Sequence, residues 1–261
     1  MLTHLKFLVL VCILFLACNK KDIVRLPVIP DQSFTEEFDT VSSAFQRGWV
    51  AINNSLAKGS DTWSQGGGNP ALFNAYSPWG SISGFIGTTY LSTSEEAGII
   101  SNWLVSPKIW LQNGDKISFY TRSQLVPNIN VTGDSTDYGN DLSVHLNTKN
   151  DSTYIGIAAD PSLPFYDSVG DRGDFVCVFK INKAYFDLFS ASWQYAWAHT
   201  LSSQYEPGAY PAQWTRFEVI ISGLTKPVKG RFAFRYHVLS GGSNGNATGI
   251  GIDKVMYHSA H

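Results

Sequence analysis

The chain has 261 residues, 44% of them hydrophobic and 14% aromatic, with a formal net charge of −2. That apolar content is enough for a substantial core, each buried Leu, Ile or Phe contributing about 1.5–3 kcal/mol, and it excludes a disordered chain. The balanced charge, with Lys and Arg scattered and not gathered into a stripe, supplies no long-range field for a polyanion and excludes nucleic acid as a partner.

At the N-terminus Lys6 precedes an unbroken apolar run from Phe7 to Ala17. The run is too short to span a bilayer and has the length of a signal-peptide core. Leu16-Ala17-Cys18 resembles the lipobox at which a bacterial signal peptidase cuts and the cysteine is acylated, with Phe15 departing from the usual Leu. The alternative is an ordinary secretory signal in which Cys18 has no role. The expected organisation is a lipoprotein signal peptide over 1–17, a polar, Pro-containing tether over 18–32, and one folded domain over 33–258. Such a protein is held to the outer membrane by its lipid and faces the periplasm or the cell surface. Cys12 leaves with the signal and Cys18 is acylated, so Cys177 is left alone and no intrachain disulfide forms.

Beyond the tether, apolar residues recur with a period of two. Ile117, Phe119 and Thr121 share one face, Leu142, Val144 and Leu146 another, Phe217, Val219 and Ile221 a third, and Phe232, Phe234, Tyr236 and Val238 a fourth. Alternation of this kind marks half-buried antiparallel strands. Turn-forming residues separate them at 112–115, 131–140 and 241–248. Helical periodicity is weak, its best stretch running from Ile181 to Ser192. The fold class is therefore all-β, an antiparallel β-sandwich of the jelly-roll kind. In the last strand Ile250 and Ile252 have one parity and Val255 and Tyr257 the other, which predicts a β-bulge near Asp253 that re-aims a side chain.

Several segments then occur in a telling order: Glu37-Phe38-Asp39, Gly48-Trp49, Thr62 to Gly66, Ser101 to Pro107, Asp115 to Arg122, Asn140 to Thr148, Gly173-Asp174-Phe175, Trp214 to Leu224, Gly230 to His237, and Gly249 to Asp253. From about Ser33 to Tyr257 this order resembles the choice-of-anchor J domain, which is related to the cleaved-adhesin domains of bacterial surface proteins and to MAM-type jelly rolls. The chain departs from the pattern at Thr89, where an Asn is usual, in an extended stretch from Asp160 to Arg172, and in an aromatic insertion from Leu188 to Pro207. The resemblance implies a jelly roll in an extracellular, often adhesive setting, without a defined ligand.

By the same resemblance the first and last strands lie side by side, bringing Glu37 and Asp39 towards Asp253. Gathered carboxylates repel, and a bound calcium ion relieves this while taking about six to eight oxygen ligands. The resemblance therefore implies structural calcium, with Glu37, Asp39 and Asp253 as candidate ligands. Without a metal, Asp253 would accept backbone N–H bonds at a turn and Glu37 would pair with an Arg or Lys.

The insertion and its flank hold Trp193, Tyr195, Trp197, Tyr205 and Tyr210, flat rings suited to stacking on sugars or anchoring a protein ligand. Alternatively the rings fold back over one end of the sandwich as part of its core. Arg231 and Arg235 alternate with core aromatics and read as an outward, solvated or salt-bridged face. Arg172-Gly173-Asp174 spells an integrin-type tripeptide but is accounted for by its place before a strand. No helical His pair, nucleophile elbow or phosphate-cradling loop is found. The sequence thus points to a non-enzymatic surface domain for adhesion or for binding a glycan or protein ligand. The alternatives are a structural or assembly subunit of a surface complex and a glycoside hydrolase.

Overall fold

In the computed structural model, residues 29–77, 79–127, 135–136, 139–157, 172–181, 210–245 and 247–260 are described. They contain fourteen strands: β1 (Phe34–Glu36), β2 (Val50–Asn53), β3 (Ser64–Gln65), β4 (Ile86–Thr89), β5 (Gly98–Val105), β6 (Ile109–Leu111) and β7 (Lys116–Ser123). These are followed by β8 (Val126–Pro127), β9 (Ser135–Thr136), β10 (Leu142–Asn147), β11 (Val176–Ile181), β12 (Thr215–Ile220), β13 (Val228–Gly241) and β14 (Gly249–His258). The one α-helix among the described residues, α1 (Val41–Gln46), is six residues long, too short to leave a periodic signature. Of the stretch where helical spacing was strongest, Ile181 ends β11 and 182–192 lie outside the described residues.

Two antiparallel sheets carry the fold. The first runs β12-β7-β14-β4-β3, with β1 also on β14; the second runs β11-β10-β13-β5-β2, with β6 on β13. The alternation read from the sequence sets the inner faces. Ile117, Phe119, Ile250, Ile252, Val255 and Tyr257 of the first sheet join Leu104, Leu142, Val144, Phe232, Phe234 and Tyr236 of the second in one core. Phe119 meets Phe234 edge-on at 4.8 Å between ring centres, an arrangement that satisfies the ring quadrupoles as well as burying area. Trp49, which follows the turn after α1, sits edge-on to both Phe38 and Phe232 and closes the core beside β1.

The outer face of the second sheet departs from the sequence reading. Arg235 is 1% exposed; its guanidinium lies over Trp103 at 5.1 Å and its Nε donates to Ser101 Oγ at 3.0 Å. Arg231 is also buried, donating to the carbonyl oxygens of Asp151 and Ser106. Trp103, Val105, Ile155, Phe175 and Ala233 form a second small apolar cluster beside them. Alternation says that these arginines leave the core face but not that the opposite face is covered too.

Candidate functional site

The site begins with a break in β14. Its first part pairs with β4 through Ile252, and its second pairs with β1 from Val255 onwards, so β4 and β1 share one edge of β14 end to end. The register against β7 shifts between Asp253 and Met256, and Lys254 has φ of 48°. This is the bulge expected from the change of parity. Glu37 and Asp39 flank the other positive-φ non-glycine among the described residues, Phe38, at 52°. The Phe38 ring is fully buried in the core, so the left-handed kink leaves its two acidic neighbours outside it. Positions of this kind cost about 1–3 kcal/mol each and persist only where the surroundings fix them, often at functional sites.

Asp253 points away from the core and is 0% exposed. Its Oδ2 accepts the N–H of Tyr76 at 2.9 Å and its Oδ1 that of Lys254 at 2.7 Å. Burial pushes its pKa up to about 7; those two bonds oppose the rise, and the negative charges of Glu37 and Asp39 add to it. Glu37 pairs with the Lys254 ammonium at 3.3 Å, both side chains partly exposed. Its neighbour Glu36 is buried and takes a two-point bond from Arg47, at 2.9 and 2.6 Å. Asp39 lies against the next loop: a Cβ added at Gly80 or Gly84 would stand 2.7 or 2.9 Å from its Oδ1.

As a donor set, three carboxylates, one of them penalised by burial and by the other two, have the chemistry of a hard divalent cation's ligands. The bonds present are nonetheless those expected without a metal, with Asp253 on main-chain N–H groups and Glu37 on a lysine. Among the described residues no group of three or more His, Cys, Asp or Glu side chains is assembled as a metal centre. The Lys254–Glu37 pair is an exposed one of the kind worth little, so it offers small resistance to a competing cation.

The segment from Phe73 to Phe85 packs on the outside of the first sheet above this acidic group. Ala75 N–H bonds to Ile82 O at 2.8 Å and Gly84 N–H to Ser81 O at 2.8 Å, closing a narrow loop. Gln65 ties the loop to the N-terminal turn, donating to Ser83 O at 2.6 Å and Phe38 O at 3.1 Å while accepting from Val41 N at 2.8 Å. Phe73 stacks on Phe85 at 4.9 Å, Trp214 meets both edge-on at 5.4 Å, and Arg122 sits 4.4 Å over the Phe73 ring. Tyr76 stacks on Tyr120 at 3.8 Å. At the tip of this anchored loop Trp79 is 94% exposed and Ile82 69% exposed.

Of the residues singled out in the sequence, the structure thus gathers Glu37, Asp39 and Asp253 around one loop. Tyr210 is 1% exposed and its hydroxyl bonds Thr121 Oγ1 at 2.6 Å, so its ring offers no stacking face. Trp193, Tyr195, Trp197, Tyr205 and Cys18 lie outside the described residues. Trp79 has no place in any alternating pattern. Its signal is local, a Trp set among Ser77, Pro78, Gly80 and Ser81, which is turn chemistry around a residue that turns rarely carry.

Fold and site together define an all-β, two-sheet sandwich whose terminal strands lie edge to edge beneath an anchored, aromatic-tipped loop. No protein-family model matches the chain, and no curated protein does. Among solved structures it is similar to the K3 cleaved adhesin domain of Lys-gingipain from Porphyromonas gingivalis, at 15% identity over 88% of this chain and 100% of that one, with a TM-score of 0.42. It is also similar to the K2 cleaved adhesin domain of Lys-gingipain, at 18% identity over 88% and 99% with a TM-score of 0.44. The K1 cleaved adhesin domain from Porphyromonas gingivalis follows at 11% identity over 88% and 99%, with a TM-score of 0.41.

Proposed function

We propose that this chain is a non-enzymatic, lipid-anchored domain of the outer membrane that binds an external glycan or protein ligand, an adhesin-type role. The observation that carries the reading is the loop from Phe73 to Phe85, which presents Trp79 and Ile82 to solvent while its base is bonded to Gln65, Asp253 and Trp214. Loops held by a rigid scaffold are where binding residues concentrate, and exposed aromatics on them mark contact sites. Calcium, held by Glu37, Asp39 and Asp253, would neutralise the charge gathered at the loop's base. Beads coated with the folded chain are expected to adhere to bacterial or epithelial surfaces better than albumin-coated beads; equal adhesion on both surfaces overturns the reading. Anchoring has its own test. Cys18→Ser is expected to shift the protein from the membrane fraction to the soluble one, since each buried acyl CH₂ contributes about 0.8 kcal/mol and several chains together hold firmly. Retention of the variant with membranes would refute the lipid anchor.

A further inference from the structure

We infer that Trp79 is the stacking platform of a carbohydrate site, and that the ligand is a neutral saccharide whose pyranose ring lies on the indole face. The inference rests on the ligand-binding reading above and names the residue and the ligand class. Trp79 at 94% exposed and Ile82 at 69% place two large apolar side chains in water on one loop tip, and apolar surface grouped in this way marks a contact site. The base of this loop is held: closed by the Ala75–Ile82 bond, pinned to Asp253 through Tyr76 N–H, and clamped by Gln65 at Ser83. A ligand stacking there finds the base of the loop already held, which lowers the cost of association.

The surroundings of the ring select the ligand. A pyranose has an apolar face of C–H groups, which the electron-rich face of an indole attracts, and a rim of hydroxyls that need donors and acceptors. The tip supplies these in Ser77, Ser81 and Ser83, with the Ser81 and Ser83 hydroxyls 3.0 Å apart, and in the Asp39 carboxylate against Gly80 and Gly84. From Gly59 to Pro107 the chain contains no Lys or Arg. Beside the loop, Arg122 lies over the Phe73 ring and Lys254 pairs with Glu37. An anionic membrane, a sialylated or sulfated glycan or a nucleic acid would meet the Asp39 carboxylate at this tip and no Lys or Arg contributed by the loop itself, which makes a neutral sugar the favoured occupant.

The test is a printed array of neutral hexose and N-acetylhexosamine oligosaccharides probed with the labelled full chain, with affinities then measured on any oligosaccharide retained. We expect binding to a neutral oligosaccharide that Trp79→Ala weakens at least tenfold and Trp79→Tyr largely keeps, with melting temperatures unchanged because the ring is not packed on the fold. Three outcomes overturn the inference: no neutral oligosaccharide retained, equal binding by wild type and Trp79→Ala, or Trp79-dependent flotation with phosphatidylcholine–phosphatidylserine vesicles in place of sugar binding. The bead assay separates the two levels. Adhesion that survives Trp79→Ala sinks the Trp79 site and leaves the ligand-binding reading standing, whereas no adhesion by the wild type sinks the broader reading.

Discussion

Asp253 shows how one side chain can carry a conflict that the fold tolerates. Both its oxygens hold main-chain N–H groups, yet burial raises its pKa to about 7, well above the usual ~3.9 of an aspartate in an unfolded chain. The folded state therefore keeps a proton that the unfolded state releases. The stabilising difference is complete below about pH 4 and is lost as pH rises through about 7. In excess chelator, the stability advantage of wild type over Asp253→Asn should grow as pH falls from 7 to 4, by roughly 4 kcal/mol at most for a shift of about three units. Denaturant unfolding of both proteins across that window measures it; an advantage that stays constant would show that Asp253 does not titrate there. That residues 37 and 39 come towards 253 was implied by the family resemblance. Their individual partners were not, because which of Glu36 and Glu37 turns inward depends on the kink at Phe38, and adjacent glutamates look alike in one dimension.

Among the elements, the strands were the legible part. Alternating runs at 117–121, 142–146 and 232–238 fall in β7, β10 and β13, and that at 217–221 in β12 and the residue after it, with their apolar side chains packed in or against the core, and the parity change in β14 marks the bulge. The outer faces were not legible, since alternation assigns a side chain to a face without saying what lies on it. Gly251 is a case in point. It sits between the inward Ile250 and Ile252, so its missing side chain would point outward into apparent solvent. In the structure, a Cβ there would stand 2.8 Å from Phe73 Cε2 and from Phe85 Cδ2 and Cε2. The loop reaches the sheet because this position is bare. Phe85 is fully buried and Phe73 is held between it, Trp214 and Arg122, so neither ring can swing away freely. Gly251→Ala is expected to cost about 1–3 kcal/mol by overpacking. At about 2–4 °C per kcal/mol for a domain of this size, that lowers the melting temperature by several degrees. Calorimetry showing no change would mean that the loop does not rest on this strand.

At the scale of the whole molecule, the acidic group joins parts that are remote in the chain. Phe34–Glu36 pairs with Val255–Tyr257, and Tyr76 reaches Asp253 across 177 positions. These contacts fix the first strand, the last strand and the Trp79 loop in one place, so whatever strengthens them acts on closure of the sandwich and on that loop together. Calcium at Glu37, Asp39 and Asp253 would do so, because an ion that binds only the folded chain stabilises it by mass action. At about a hundred times its dissociation constant the gain is about 2.7 kcal/mol, which for a domain of this size raises the melting temperature by roughly 5–10 °C. Adding calcium to chelator-treated protein should therefore shift the melting curve upward, and Asp253→Asn should abolish the shift. The effect should also be larger at pH 8 than at pH 5, since the ion competes with the proton that burial leaves on Asp253 at the lower pH. A melting curve that does not respond to calcium at pH 8 would remove the metal from the account. The pairing of Glu37 with Lys254 and the two N–H bonds to Asp253 would then act without an ion, alongside the β1–β14 pairing, in holding the terminal strands and the loop together.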